Sequence, residues 1–246
     1  MICKKSNIDG AIYCAKCVIR KKSIFGSLKD DEIAKISKYI ERKSNYPKGE
    51  YLIKEGEKAC YSLCIKSGYL ILGTYLEDGS RQIFKVIFPG EFVGFNNSDD
   101  YSYFVQAITD VDACVIDDLS VKELLKNHNN VALRLINTLI SNSSSYQQYF
   151  LGFGRKTAQE ALAYLIMDLS TRLKEQATCS KNKDELYFFP LNQEDMADVL
   201  GITKVHVSRV ISQFKKEGLI ECRHKKLKVL NEDKLASIAA YPPAPK

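Results

Sequence analysis

Residues 191–214 (LNQEDMADVLGITKVHVSRVISQF) leave the chain little choice of local structure. Asn192 predicts a helix N-cap, Glu194 and Asp195 fall in the first turn where the helix dipole favours carboxylates, and Met196, Ala197, Val199 and Leu200 share one side. Gly201 ends that helix. Thr203 predicts the cap of a second helix, in which Val207, Val210, Ile211 and Phe214 recur at helical spacing. Two amphipathic helices joined by a very short glycine-bearing turn form a helix-turn-helix. In such a unit the second helix enters the DNA major groove N-terminus first. Thr203, Lys204, Val205, Ser208 and Arg209, all off the apolar stripe, are therefore expected to face base edges. An ordinary pair of packed helices is the competing reading.

The adjoining segment favours DNA. Leu219-Ile220, then Glu221 to Leu230, reads as strand, basic turn, strand: a wing, with Arg223, Lys225 and Lys226 at its turn. From Thr203 to Leu230 eight Lys or Arg stand against two acids, a local net charge of +6. That density suits a phosphate backbone, because each phosphate neutralised releases counterions.

The whole chain of 246 residues carries +6 and is 45% hydrophobic, enough for two ordinary domains with buried cores. Residues 1–23 hold net +5, so what remains outside that segment and the winged region is net −5, an uneven distribution expected of an electrostatically oriented DNA binder. No apolar run approaches the roughly 20 residues of a membrane span, and the start lacks the apolar core of a signal peptide, so the expected location is the cytoplasm. Eight cysteines in such a chain suggest buried thiols, metal ligands or redox sensing in place of disulfides. No catalytic constellation is present: His128, His206 and His224 sit in no recognisable motif and no glycine loop cradles phosphate, so an enzyme is not expected.

The chain divides into four regions. Residues 1–22 hold Cys3, Cys14 and Cys17 among basic residues, the last two spaced as Cys-x-x-Cys. Residues 23–120 are expected to form a domain of their own: an amphipathic helix over Leu28–Arg42, then from Asn45 to Asp118 six or more short apolar runs broken by turn signals such as Pro47-Lys48-Gly49 and Pro89-Gly90, which predict an antiparallel sandwich or barrel. Residues 121–151 predict one long helix on which Ala132, Ile136, Leu139, Ser143, Tyr146 and Phe150 repeat by 4, 3, 4, 3, 4, the seam of a two-helix dimer; a helix packed on its own barrel is the alternative. No acidic residue lies between Glu123 and Glu160, so no carboxylate repulsion opposes association along that seam. Residues 152–246 begin at a Gly152-Phe153-Gly154 hinge, continue through a helix from Thr157 to about Leu173 and a short strand Tyr187-Phe188-Phe189, carry the winged helix-turn-helix, and end in a frayed tail from Tyr241. The class is α+β.

With barrel, long helix and winged helix in that order, the chain resembles the CRP/FNR family of bacterial transcription regulators, closest to its FNR branch. The resemblance is carried by Tyr13-Cys14-Ala15-Lys16-Cys17, Pro89-Gly90-Glu91-Phe92-Val93-Gly94-Phe95, Phe104-Val105-Gln106-Ala107, Cys114, residues 161–170, Leu200-Gly201-Ile202-Thr203 and Val207-Ser208-Arg209. It implies a cyclic-nucleotide-binding-like sensor barrel, a homodimer on a palindromic duplex site, and RNA polymerase as a partner. Cyclic AMP is not expected, since Phe104-Val105-Gln106-Ala107 stands where the family's phosphate-binding Arg segment belongs and a buried anion without a positive partner is costly. The FNR branch implies a [4Fe-4S] cluster, and Cys14, Cys17 and Cys114 match three of its ligand positions. The position six residues after Cys17 is Ser23, a poorer iron ligand than thiolate, and Cys3, with ten residues between it and Cys14, has the reach to replace it. A cluster-free regulator that is always dimeric, zinc on Cys14 and Cys17, and a thiol redox protein using the same pair stay open; no βαβ pattern surrounds the pair as a thioredoxin-like motif would require. Cys60, Cys64, Cys179 and Cys222 are expected to pack as small hydrophobes. In the reading helix Val205 replaces the family's frequent Glu, so a thymine methyl can substitute for cytosine N4 as its contact.

Overall fold

The glycine-punctuated stretch folds into antiparallel strands, as its turn signals require. In the computed structural model, which describes residues 16–36, 39–96, 98–176, 187–223 and 226–241, these are β1 (Glu41–Tyr46), β2 (Tyr51–Ile53), β3 (Tyr61–Ser67), β4 (Leu70–Tyr75), β5 (Arg81–Ile87), β6 (Phe92–Val93), β7 (Phe104–Ala107) and β8 (Val111–Asp117). They form two four-stranded sheets, ordered β1-β8-β3-β6 and β2-β7-β4-β5. The sheets are hydrogen-bonded separately, so the sandwich describes the domain better than a closed barrel. Between them lie Leu52, Ile53, Leu63, Ile65, Leu70, Val105, Val111 and Ala113.

The first sheet is covered on its other face too. Ile24, Phe25, Leu28, Ile33 and Ile36 from the preceding segment pack there against Cys64, Ile116, Val121, Leu124 and Val131. Strand side chains alternate, so Leu63 and Ile65 of β3 enter one core while Cys64 enters the other. Burial on both faces explains why the β3 sequence reads as a continuous apolar run.

Several boundaries differ from the sequence expectation. The helix expected over Leu28–Arg42 is α1, Asp30–Ile36; Glu41–Ser44 instead pair with Val115–Asp112 of β8, because a long-range strand partner outweighs local helical periodicity. The long helix expected over 121–151 is two, α2 (Asp118–Asn127) and α3 (Asn129–Arg155). Asp117 caps α2, and the backbone leaves the helical region at His128 (φ −130°, ψ 83°) within a run of poor helix formers, Asn127-His128-Asn129-Asn130. Gly152-Phe153-Gly154 is no hinge: α3 continues through it to Arg155. The break comes at Thr157, which accepts from the Glu160 amide while the Glu160 carboxylate accepts from the Thr157 amide, a capping box that starts α4 (Ala158–Gln176).

The chain divides into two units, Met1–Gly79 with Phe84–Ser143, and Ser80–Ile83 with Ser144–Lys246. In the second unit α4 buries Leu162, Leu165, Ile166 and Leu169. Around it lie β9 (Tyr187–Phe188), α5 (Gln193–Leu200), α6 (Lys204–Lys216), β10 (Ile220–Arg223), β11 (Lys226–Val229) and α7 (Glu232–Ala239). The helix α7 was not expected; it starts at an Asn231 cap, buries Leu235 and Ala239, and packs along α4. Tyr241 is accordingly no part of a frayed tail: its ring lies 5.2 Å from that of Tyr164. Among the described residues no helix is long and apolar enough to cross a membrane.

Candidate functional site

The helix-turn-helix forms as its caps dictate. Asn192 Oδ1 accepts from the amides of Glu194 (2.7 Å) and Asp195 (3.0 Å), and Asp195 accepts in return from the Asn192 amide (3.1 Å), a reciprocal pair that fixes the start of α5. Gly201 adopts φ 63°, a left-handed conformation that costs a side chain about 1–2 kcal/mol, and so lets the chain reverse in three residues. Thr203 Oγ1 then accepts from the His206 amide (3.3 Å) and starts α6.

On α6 the apolar positions Val207, Val210, Ile211 and Phe214 are buried. The opposite face, with Thr203, Lys204, Val205, Ser208 and Arg209, is open to solvent, Val205 at 67% exposure. Ser212, one turn beyond Ser208 and hydrogen-bonded to its carbonyl (2.8 Å), continues that face. It was missed in the sequence because a serine off the apolar stripe carries no signal of its own. Lys204 reaches Glu194 at 3.6 Å, an exposed pair that is readily exchanged.

The wing is three-stranded: β10 pairs with β11 from Ile220↔Val229 to Arg223↔Lys226, and β11 pairs with β9. Arg223 and Lys226 are exposed at its tip, Arg223 bridging to Glu221 at 3.0 Å; Lys225 lies outside the described residues. Burial pushes the Cys222 thiol up, consistent with a packing role.

On α3 the stripe Val131, Leu135 and Thr138 turns inward, Val131 and Leu135 being buried. The neighbouring stripe is another matter. Ile136, Leu139, Ser143 and Phe150 are exposed, with Ala132 and Tyr146 half-buried, and Leu133 and Ile140 widen the exposed apolar band. Part of the helix thus packs on its own domain, while the stripe spaced 4-3-4 stays largely exposed.

The first unit also contains a cavity of about 40 Å³, with room for a few water-sized groups, lined by Cys17, Ser23, Phe25, Ile33, Cys64 and Cys114 among others. Cys64 of β3 stands directly across from Cys114 of β8. Ser23 is buried at 3% exposure, its hydroxyl donating to the Arg20 carbonyl (2.8 Å) and accepting from the Phe25 amide (3.2 Å). The segment is tied down by Arg20 to Asp30 (2.7 Å) and by Arg134, which donates to the Lys21 carbonyl (2.6 Å). Gly26 is needed at this seam, since a Cβ there would collide with that same carbonyl. Cys3 and Cys14 lie outside the described residues, and among the described residues no three His, Cys, Asp or Glu side chains converge on a single-ion site. Cys60, expected to pack as a small hydrophobe, is exposed. Elsewhere Glu91, within the Gly-Glu-x-x-Gly segment, is held by Lys85 (3.1 Å), which also reaches Asn142 (2.8 Å).

Residues 43–128 match the cyclic nucleotide-binding domain family and residues 160–238 the Crp-like helix-turn-helix domain family. The transcriptional activator protein FnrL of Cereibacter sphaeroides is 29% identical over 87% of this chain and 86% of its own length. The chain thus carries a cyclic nucleotide-binding domain followed by a Crp-like helix-turn-helix domain, the two domains of CRP/FNR regulators. With them it is a DNA-binding transcription regulator. Other relatives agree: the fumarate and nitrate reduction regulatory protein of Salmonella typhimurium is 27% identical over 94% of this chain and 92% of its own. FixK2 from Bradyrhizobium japonicum shares the fold, with a TM-score of 0.73 at 24% identity over 82% of this chain and 99% of that one. In this CRP/FNR regulator, then, the exposed face of α6 is the candidate DNA-reading surface and the thiol-lined cavity the candidate sensing centre.

Proposed function

We propose that this regulator acts in the cytoplasm as a homodimer that reads a palindromic duplex site and answers to oxygen or redox state. The observation that carries the reading is the exposed face of α6, where Val205, Ser208 and Arg209 stand clear of a buried apolar stripe. Thr203 and Lys204 join them in the major groove, and Arg223, Lys225 and Lys226 of the wing hold phosphate. The open seam from Ala132 to Phe150 supplies the two-fold contact that two half-sites require. Residues 1–22 and 23–120 form the sensing part, 121–151 the dimerisation segment and 152–246 the reading head, with RNA polymerase as the downstream partner.

For the signal, Cys14, Cys17 and Cys114 would hold an iron-sulfur cluster. The donor chemistry fits, since Cys17 and Cys114 line one largely apolar cavity and thiolates are what such clusters bind. When bound, the cluster supplies an iron centre whose stability depends on oxygen. The chain's own residues shield it: Phe25 and Ile33 wall the cavity, and Arg20 and Arg134 fasten the covering segment. A cyclic nucleotide is the poorer fit, because Lys85 already occupies Glu91 and Gln106 donates to the Gly49 carbonyl (3.1 Å) from the segment where a phosphate-binding Arg would stand.

Binding-site selection on purified dimer, in air and without oxygen, tests this reading. A palindrome with relaxed preference at the base pair facing Val205 is expected, bound more tightly without oxygen. Indifference to duplex DNA of every sequence overturns the DNA-reading assignment; equal affinity in both atmospheres, with iron-free protein, overturns the sensing assignment alone.

A further inference from the structure

We infer that Lys85 is a positioning residue for dimerisation: through its bond to Asn142 it holds the seam-bearing part of α3 against the sandwich and so fixes which way the apolar stripe faces. The inference rests on the homodimer reading above and names the contact that readies the protomer for its partner.

The side of α3 that turns towards its own unit runs through Val131, Leu135, Thr138 and Asn142, spaced by 4, 3 and 4. Its character changes along the way. Val131 and Leu135 are buried apolar side chains, which dock the first turns. From residue 136 to 143, Thr138 and Asn142 are half-buried and the other six residues are exposed. The Thr138 hydroxyl is engaged within its own helix, donating to the Arg134 carbonyl (2.9 Å). Asn142 reaches beyond the helix: its Oδ1 accepts from the Lys85 ammonium of β5 at 2.8 Å.

Lys85 is itself held firmly. Its side chain keeps 13% of its surface exposed, and a second contact, 3.1 Å to the Glu91 carboxylate, fixes the direction of the ammonium. Glu91 sits on a corner tied to β3: its amide donates to the Phe88 carbonyl (3.1 Å), its carbonyl accepts from the Ile65 amide (3.0 Å), and the Gly90 amide donates to the Ile65 carbonyl (2.7 Å). A hydrogen bond to a mostly buried ion is stronger than one between neutral surface groups. A run of fixed groups thus leads from β3 through Glu91 and Lys85 to Asn142.

The seam lies beside this pin. Leu139 and Ser143 directly follow Thr138 and Asn142, and successive side chains stand about 100° apart around a helix. Holding the side of 138 and 142 therefore sets the direction of Leu139 and Ser143. Releasing it leaves a largely exposed stretch of helix to be ordered on association, and that cost enters the dimer equilibrium. The competing reading is a bond that merely stabilises the protomer.

The full-length protein is prepared as wild type, as Asn142→Ala, as the double variant Lys85→Met with Glu91→Gln, which removes both charges so that neither is buried alone, and as the triple variant. Sedimentation equilibrium gives the dimer dissociation constant. Amide hydrogen exchange on the monomer, at high dilution, gives the protection of residues 136–143, and circular dichroism follows the thermal midpoint. Asn142→Ala should raise the dissociation constant about tenfold or more and lower protection in residues 136–143 while the sandwich keeps its own. The triple variant should dissociate no more readily than the weaker of the other two, because both break one pin. A dissociation constant for Asn142→Ala within about twofold of wild type, or losses that add in the triple variant, overturns the role of Lys85 and leaves the dimer standing. Loss of protection spread over the whole protomer marks the bond as structural and overturns it too. Wild type that stays monomeric at every concentration overturns the homodimer reading and this inference with it. If the double variant misfolds, Asn142→Ala, which leaves the Lys85–Glu91 pair whole, decides alone.

Discussion

Leu139→Ala should loosen the dimer without loosening the protomer. Leu139 keeps 53% of its surface exposed on α3, so about half of the roughly 1.5–3 kcal/mol that complete burial of a leucine contributes remains for a partner to supply. Two-fold symmetry removes the side chain from both protomers at once, which brings the loss to about 1.5–3 kcal/mol of association. At about 1.4 kcal/mol per tenfold, the dimer dissociation constant should rise roughly 10- to 200-fold. Sedimentation equilibrium over a dilution series measures this directly, and the thermal midpoint of the monomeric variant reports on the fold. Leu135→Ala is the contrasting control. Leu135 is 6% exposed and faces its own domain, so its truncation should cost about 2–5 kcal/mol of unfolding stability instead. A dissociation constant for Leu139→Ala within about twofold of wild type would refute the seam and leave the exposed apolar band of α3 without its proposed occupant.

Three further outcomes are expected. Arg209→Ala should cost about 1–3 kcal/mol of binding to the preferred site and blunt its guanine preference, measured by fluorescence anisotropy on site variants; equal loss on all sequences would make Arg209 a phosphate contact. Lys226→Ala, at the wing tip, should weaken binding to all sequences alike and lower the slope of log affinity against log salt by about 1, whereas a sequence-selective loss would place it on a base. Burial pushes the Tyr101 hydroxyl up from its ordinary 10.0 to about 12, favouring the protonated form in the fold. Its contribution to stability is therefore whole below pH 10, declines as pH rises towards 12 and is lost above it. Tyr101→Phe should flatten urea-denaturation midpoints across that window, and an unchanged pH profile would show that other groups govern it.

The reading head could be read almost entirely from local chemistry. Asn192, Gly201 and Thr203 each satisfy or release backbone groups within a few residues of themselves, so cap, turn and cap are determined where they stand. The same holds for Thr157 and Glu160, whose reciprocal bonds start α4 where the preceding glycines had suggested a hinge. The strand β1 is the opposite case. Its residues 41–46 carry no alternating apolar pattern and become a strand because β8 offers them a partner about seventy residues away in sequence.

The cysteines divide along the same line. Sequence alone determined the two-helix reader, the basic wing, the order of sensor and reader, and the mismatch at Ser23, because caps, charges and spacings act over short distances. Only tertiary structure decided that one apolar stripe of α3 stays exposed while its neighbour is buried, and that Cys64 and Cys114 stand side by side in the lining of one cavity. Fifty residues separate those two thiols in the chain. Sheet register, which depends on both strands and on what covers each face, is what brings them together.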